Sequence, residues 1–213
     1  GDISPVPSTG GNARQLTTNP AYDTHPIWSP DGQQIAFASS RQGSMDIYIV
    51  SKDGGIPKRL TTHSGNETPV TFSDATHILF KANLMPDATD LSFPSAQFPQ
   101  VYEISTQGGR PQLYSSLPME DISVAQDGTT LLYHDQKGYE DPWRKHHTSS
   151  ITRDIWISKK ENNERTYRKV TSFNGEDRNP IWSNDNQSFY YLSEKAGSFN
   201  IFKCNPDGSN EMQ

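Results

Sequence analysis

Apolar and polar positions alternate in short bursts along this chain, and the bursts recur. The string PIWSPDGQQIAFAS (Pro26 to Ser39) returns as PVTFSDATHILFKA (Pro69 to Ala82), as ISVAQDGTTLLYHD (Ile122 to Asp135) and as PIWSNDNQSFYYLS (Pro180 to Ser193). The central aspartates, Asp31, Asp74, Asp127 and Asp185, stand 43, 53 and 58 residues apart. Four residues after each comes an apolar side chain (Ile35, Ile78, Leu131, Phe189), and six after each an aromatic one (Phe37, Phe80, Tyr133, Tyr191). That period of two predicts a half-buried strand. Segments such as Ser29-Pro30-Asp31-Gly32 predict the turn before it: Pro fixes φ, Asp accepts from nearby backbone amides and Gly tolerates positive φ. Each repeat therefore predicts a hairpin.

A third strand recurs as DIYIV (Asp46 to Val50), QVYEI (Gln100 to Ile104), DIWIS (Asp154 to Ser158) and NIFKC (Asn200 to Cys204). A fourth reads PKRLT (Pro57 to Thr61), GRPQL (Gly109 to Leu113) and YRKVT (Tyr167 to Thr171), twice after a Gly-Gly pair. Four antiparallel strands in each repeat of about 40 to 50 residues predict an all-β fold, a β-propeller of four-stranded blades. The ends fit the same register, since Ile3 and Leu16 are separated like Ile47 and Leu60, so residues 1–17 match strands three and four alone. After strand three of the last repeat, residues 205–213 resemble a turn with no fourth strand following. The expectation is one propeller segment over 1–213, with blade parts at about 1–17, 18–61, 62–114, 115–171 and 172–213: three full blades and two incomplete ones. Open blade edges predict self-association or capping by packing.

Composition narrows the function. An apolar share of 31 % with 9 Tyr, 9 Phe, 4 Trp, 15 Gly and 15 Pro suits short strands and many turns. No apolar run approaches the roughly 20 residues a membrane-spanning helix needs, so membrane insertion is not expected. The net charge of −6 offers no general attraction for phosphate backbones, which argues against nucleic acid. The single cysteine, Cys204, rules out an internal disulfide or a CxxC metal site and reads as a small strand residue. No leader of charged and apolar residues stands at the start of this segment.

The strings AYDTHPIWSPDGQQIAFASSRQGSMDIYIVSKDGGIPKRLTTHSGNETP (Ala21 to Pro69), GYEDPWRKHHTSSITRDIWI (Gly138 to Ile157) and GEDRNPIWS (Gly175 to Ser183) resemble the amino-terminal propeller of bacterial Tricorn-like serine peptidases. The blade motif alone also resembles TolB. The resemblance covers nearly the whole chain. It implies a six- or seven-bladed ring, followed in the family by a PDZ module and a peptidase core that are not in this segment. The role it implies here is a non-catalytic propeller that gates or guides peptide substrates, in an exported, periplasmic setting. Asp74-Ala75 and Asn184-Asp185-Asn186 depart from the usual turn.

Loop length points to where binding is expected. From the central aspartate to the first apolar residue of strand three is 16 residues in the first and last repeats but 27 and 28 in the middle two. Long loops on a rigid scaffold carry recognition. The insertion at 82–99 mixes Leu84, Met85, Leu91, Phe93 and Phe98 with prolines, while that at 135–153 holds Tyr139, Trp143, Arg144, Lys145, His146, His147 and Arg153. This basic and aromatic set suits a peptide carboxylate, and packing of one insertion on the other is the alternative. The connections between blades bring Asp23, His25, Glu67, Glu176, Asp177 and Arg178 ahead of the innermost strands. They would ring a channel mouth and filter substrate by charge, or else cap strand ends and bridge blades.

Two other readings arise. One is a free-standing, TolB-like interaction scaffold; the other is a propeller enzyme like oligogalacturonate lyases, which use a histidine-rich metal centre. His25 invites the second, but Thr68 and Asn179 are not histidines, and His146-His147 lack the i,i+4 spacing of a helical zinc site. With no GxSxG elbow, Ser149-Ser150 beside His146-His147 read as a polar loop. The expectation is a peptide- or protein-binding segment without cofactor, metal or catalytic centre. Its open edges predict that light scattering of the purified chain shows association growing with concentration; a stable monomer at high concentration contradicts intermolecular pairing.

Overall fold

The computed structural model describes residues 1–84, 98–137, 151–162 and 164–213. Every regular element among them is a strand, and the strands form four antiparallel sheets in two compact units, Gly1–Leu117 and Pro118–Gln213. The fold class is all-β, and each sheet is a propeller blade.

In the first unit β1 (Asp23–Trp28), β2 (Gln34–Gln42), β3 (Ser44–Ser51) and β4 (Lys58–Arg59) pair in sequence order. So do β5 (Thr68–Phe72), β6 (His77–Ala82), β7 (Gln100–Ser105) and β8 (Gln112–Ser115). The second unit has a third four-stranded sheet, β9 (Met119–Val124), β10 (Thr130–Asp135), β11 (Ile155–Glu161) and β12 (Glu164–Lys169). Its other sheet has three strands, β13 (Asp177–Trp182), β14 (Phe189–Ser193) and β15 (Asn200–Cys204).

The expected hairpins form for the expected reasons. Asp31 Oδ1 accepts from the Ser29 hydroxyl at 2.6 Å and the Gln33 amide at 3.0 Å, and Asp185 repeats this with Ser183 and Gln187. These bonds hold both carboxyls below the ordinary carboxylate value, the serine hydroxyl contributing most. Gly32 and Gly128 take the left-handed position of the turn, and Asn186 takes it in the last blade at φ 54°, a conformation asparagine tolerates. The departure at Asp74-Ala75 has a different outcome. There the turn closes from the Ser73 amide to the His77 carbonyl, one residue tighter than Ser29 to Gln34.

The apolar and aromatic residues at the fixed offsets all lie in the strands and are buried. In the first unit β1 lies beside β5. Ala36, Ile47, Ile49 and Leu60 of the first blade pack with Phe72, Ile78, Phe80 and Tyr102 of the second. Ile3 and Leu16 cover the opposite face of the first blade through Ile35, Phe37, Tyr48 and Val50. In the second unit Leu132, Ile155 and Ile157 meet Trp182, Phe189, Tyr191 and Phe202 in the same way.

Residues 1–17 carry no regular strand, yet the Leu16 amide donates to the Ile3 carbonyl at 2.8 Å and Arg14 to Pro5 at 3.0 Å, the ladder of an outer half-blade. At the other end the expectation of no fourth strand needs one refinement, because Lys203 and Met212 form a single antiparallel bridge. On the last sheet Ile181 and Ile201 are 62 % and 64 % exposed, although their counterparts Ile27 and Ile47 pack into the first-unit core. Truncating Phe80, fully buried against Tyr102 at a ring distance of 5.7 Å, to Ala is expected to cost about 3–5 kcal/mol. Urea unfolding measures this; a loss below about 1 kcal/mol would contradict the assigned core.

Candidate functional site

The connection from one blade to the next is built three times from the same parts. A threonine ending the outer strand accepts from the amide of the first strand-three isoleucine: Thr17 from Ile3 at 3.0 Å, Thr61 from Ile47 at 2.8 Å and Thr171 from Ile155 at 3.1 Å. Six residues after each threonine stands an acid, Asp23, Glu67 or Asp177, that opens the next blade. The amide of each acid donates back across the junction, to the carbonyls of Gly1, Met45 and Arg153 at 3.0, 2.8 and 3.0 Å. The stacking that seals the core thus buries a carboxylate at each junction, and Glu67 and Asp177 have no exposed surface.

Buried carboxylates need cations or protons, and the three junctions meet that need differently. Arg41 Nη2 lies 3.0 Å from both Asp23 oxygens, with its guanidinium 4.6 Å from the centre of the Tyr48 ring. At the second junction Arg59 faces Asp46 at 2.8 Å, while Glu67 Oε2 accepts from the Thr61 hydroxyl and Oε1 has no hydrogen-bond partner. Burial pushes the Glu67 carboxyl up to about 7, with the Thr61 bond and the Arg59 charge opposing and Asp46 reinforcing. At the third, Lys169 lies 2.9 Å from Asp154 and Lys137 pairs with the same carboxylate. Burial raises Asp177 as well; the hydroxyls of Ser193 and Thr171 and the Lys195 charge oppose it, but neither carboxyl oxygen reaches a partner at hydrogen-bond geometry.

The residues expected to bind are divided by the structure. Asp23, Glu67, Glu176 and Asp177 are buried at junctions. Arg153 is ion-paired with Glu176 at 2.5 Å and its amide donates to the same carboxylate. Arg178 stacks over Phe199 at 4.2 Å. His25 is exposed and sits at φ 51° in a bulge of β1, and Asp121 and Asn179 take the same left-handed position in β9 and β13. Strand pairing makes Pro69 the counterpart of His25, which corrects the sequence match to Thr68: the tighter turn of the second blade shifts the alignment by one residue. Trp143, Arg144, Lys145, His146 and His147 lie outside the described residues. Among the described residues no three His, Cys, Asp or Glu side chains group as a metal site. The Cys204 thiol is buried and pushed up to about 12, in the core role its strand position implied.

Both insertions leave and rejoin fastened stems. The Tyr102 hydroxyl donates to the Leu84 carbonyl at 2.8 Å at the first. At the second, Lys137 donates to the Thr152 carbonyl at 2.7 Å and Asp135 accepts from the Asp154 amide at 2.8 Å. Each unit also has a cleft at its blade junction. The first, of about 300 Å³, is lined by Thr61, His63, Glu67, Leu84, Tyr102 and Pro111 among others; the second, of about 220 Å³, by Thr171, Phe173, Lys195, Cys204 and Glu211 among others.

The sequence profile of the Tricorn protease N-terminal beta propeller domain matches residues 1–213. The chain belongs to this family. The Tricorn-type propeller is 26 % identical over 208 residues to Tricorn protease homolog 1 of Streptomyces coelicolor, covering 98 % of this chain and 18 % of that protein. It is 46 % identical over 46 residues to the Tol-Pal system protein TolB of Bordetella pertussis, covering 22 % of this chain and 10 % of that one. The crystal structure of the tricorn protease matches it with a TM-score of 0.74 at 17 % identity, over 99 % of this chain and 20 % of that chain, a likeness of fold. The Tricorn-type propeller thus spans a fifth or less of these relatives.

The junction threonines, and the acids Asp46 and Asp154 that take the arginine and lysine charges there, do not stand out from the hairpin repeat. Their signal was present in the recurring six-residue step from Thr17, Thr61 and Thr171 to an acid. The raised Glu67 carboxyl has a consequence for stability. Its folded value of about 7 lies above its ordinary 4.5, so between these pH values the native chain binds more protons than the unfolded one and stability falls as pH rises. Glu67→Gln is expected to flatten that window and to raise stability at pH 8 by about 1–3 kcal/mol. Urea unfolding across pH 4.5 to 8 measures it, and a variant less stable than the parent at pH 8 contradicts it.

Proposed function

We propose that this Tricorn-type propeller segment is a non-catalytic binding element that receives peptide and guides or gates it for a peptidase of the Tricorn type. The observation that carries the reading is the enlargement of one connection, strand two to strand three, in two consecutive blades of a chain that matches the family throughout. The fastened stems support it, because a recognition loop needs fixed ends on a rigid scaffold. The basic and aromatic residues Trp143, Arg144, Lys145, His146 and His147 supply charge and rings suited to peptide ends. Asp23, Glu67, Arg153 and Arg178 serve the scaffold of their own units, and His25 stands at an exposed bulge. The buried Cys204 thiol, with its raised pKa, is a poor nucleophile. The sequence identity to TolB extends over one blade length, which supports a shared blade rather than a shared role as a free-standing scaffold. The compartment we propose is exported, in line with the family resemblance.

The test is calorimetric titration of the 213-residue chain with oligopeptides, before and after each insertion (85–97 and 138–150) is replaced by a short turn. Removing the insertion that binds is expected to weaken affinity at least about tenfold at an unchanged unfolding midpoint. Unaltered affinity after both replacements contradicts the reading, as does release of a chromogenic leaving group by the parent chain at enzyme-like rates.

A further inference from the structure

The two junction clefts are the same place in two repeats. Strand pairing sets Leu84 where Lys195 stands, Tyr102 where Phe202 stands and Pro111 where Glu211 stands. His63 and Phe173 follow their threonines at the same step. In the second cleft the position is occupied from within. The Lys195 ammonium lies 4.9 Å from the ring centre of Phe202, 5.4 Å from Tyr191 and 5.9 Å from Phe173, and it is paired with Glu211. Rings and a carboxylate thus hold a primary ammonium beside a buried acid.

In the first cleft both members of that ion pair are replaced, by leucine and proline, and the cavity is larger, about 300 against about 220 Å³. The buried acids remain. Asp46 and Glu67 share the guanidinium of Arg59, and Glu67 Oε1, on a side chain with no exposed surface that lines the cleft, has no hydrogen-bond partner. Among the described residues Asp46 and Glu67 have Arg59 between them, His63 and Arg110 also line the cleft, and an uncharged leucine stands where the other repeat keeps its ammonium.

We propose that the cleft bounded by Glu67, Leu84, Tyr102 and Pro111 receives the primary ammonium group of a peptide, supplying from outside the cation that Lys195 supplies from within in the second unit. The inference rests on the peptide-binding reading and names the chemistry of one contact. The ammonium donates to Glu67 Oε1 with the Tyr102 ring beside it, and Leu84 and Pro111 give the adjoining chain an apolar wall. An α-ammonium and a lysine ε-ammonium share this chemistry.

Three probes separate them in calorimetry with the full chain: a pentaalanine amide with a free amino terminus, its acetylated form, and an acetylated form carrying one lysine. The free or the lysine-bearing peptide, whichever source the cleft accepts, is expected to bind at least about tenfold more tightly than the acetylated one. Glu67→Gln, which removes the charge, and Leu84→Lys, which installs an internal ammonium, are each expected to abolish that preference while the unfolding midpoint is kept or raised. If all three peptides bind equally, or both variants keep the preference, the inference is overturned while the peptide-binding reading stands. If no peptide binds, both are overturned.

Discussion

A blade of this kind has two apolar faces, and it can bury them only by lying against other structure. That constraint shapes everything else in the chain. The first blade is sealed by Ile3 and Leu16 on one side and by the second blade on the other. Stacking forces the chain to pass from the outer edge of one blade to the inner strand of the next, through backbone that would be buried with its polar groups unsatisfied. The threonine and acid solve this locally: the hydroxyl accepts a strand-three amide and the acid's own amide returns to the preceding blade. The cost is a carboxylate in the interior at each of these three crossings.

That cost is where the repeats diverge. Asp23 is neutralised by Arg41, whereas Glu67 and Asp177 keep carboxyl oxygens without a hydrogen-bond partner, with Arg59 on Asp46 beside the first and two lysines on Asp154 beside the second. A repeated scaffold can keep its backbone solution constant while a few side chains change what each junction offers. Leu84 and Pro111 against Lys195 and Glu211 are such a change, and it turns a filled cleft into a larger open one.

The hairpins were legible because their signals are local. Period-two alternation and Asp-centred turns act within about ten residues, and Ile35, Phe37, Leu131 and Tyr133 all lie buried in the strands they predicted. The ladder of residues 1–17 was legible through the Ile3 to Leu16 spacing alone. The junctions were less so, since the bonds from Thr61 to Ile47 and from Glu67 to Met45 join positions that only stacking brings together. The acids were noticed with two readings open, a channel mouth or a bridge between blades, because sequence does not reveal that Glu67 and Asp177 have no exposed surface. A one-residue contraction at Ser73 was enough to misalign His25 with Thr68.

Native-state hydrogen exchange of the amides of Asp23, Glu67 and Asp177 tests the stacking account most directly. Those three protons cross blade junctions and should open only with the blades themselves, showing protection as high as the buried centres of β2, β6 and β14. Exchange as fast as that of exposed turn amides such as Gly55 would mean that the junction bonds do not hold the blades together.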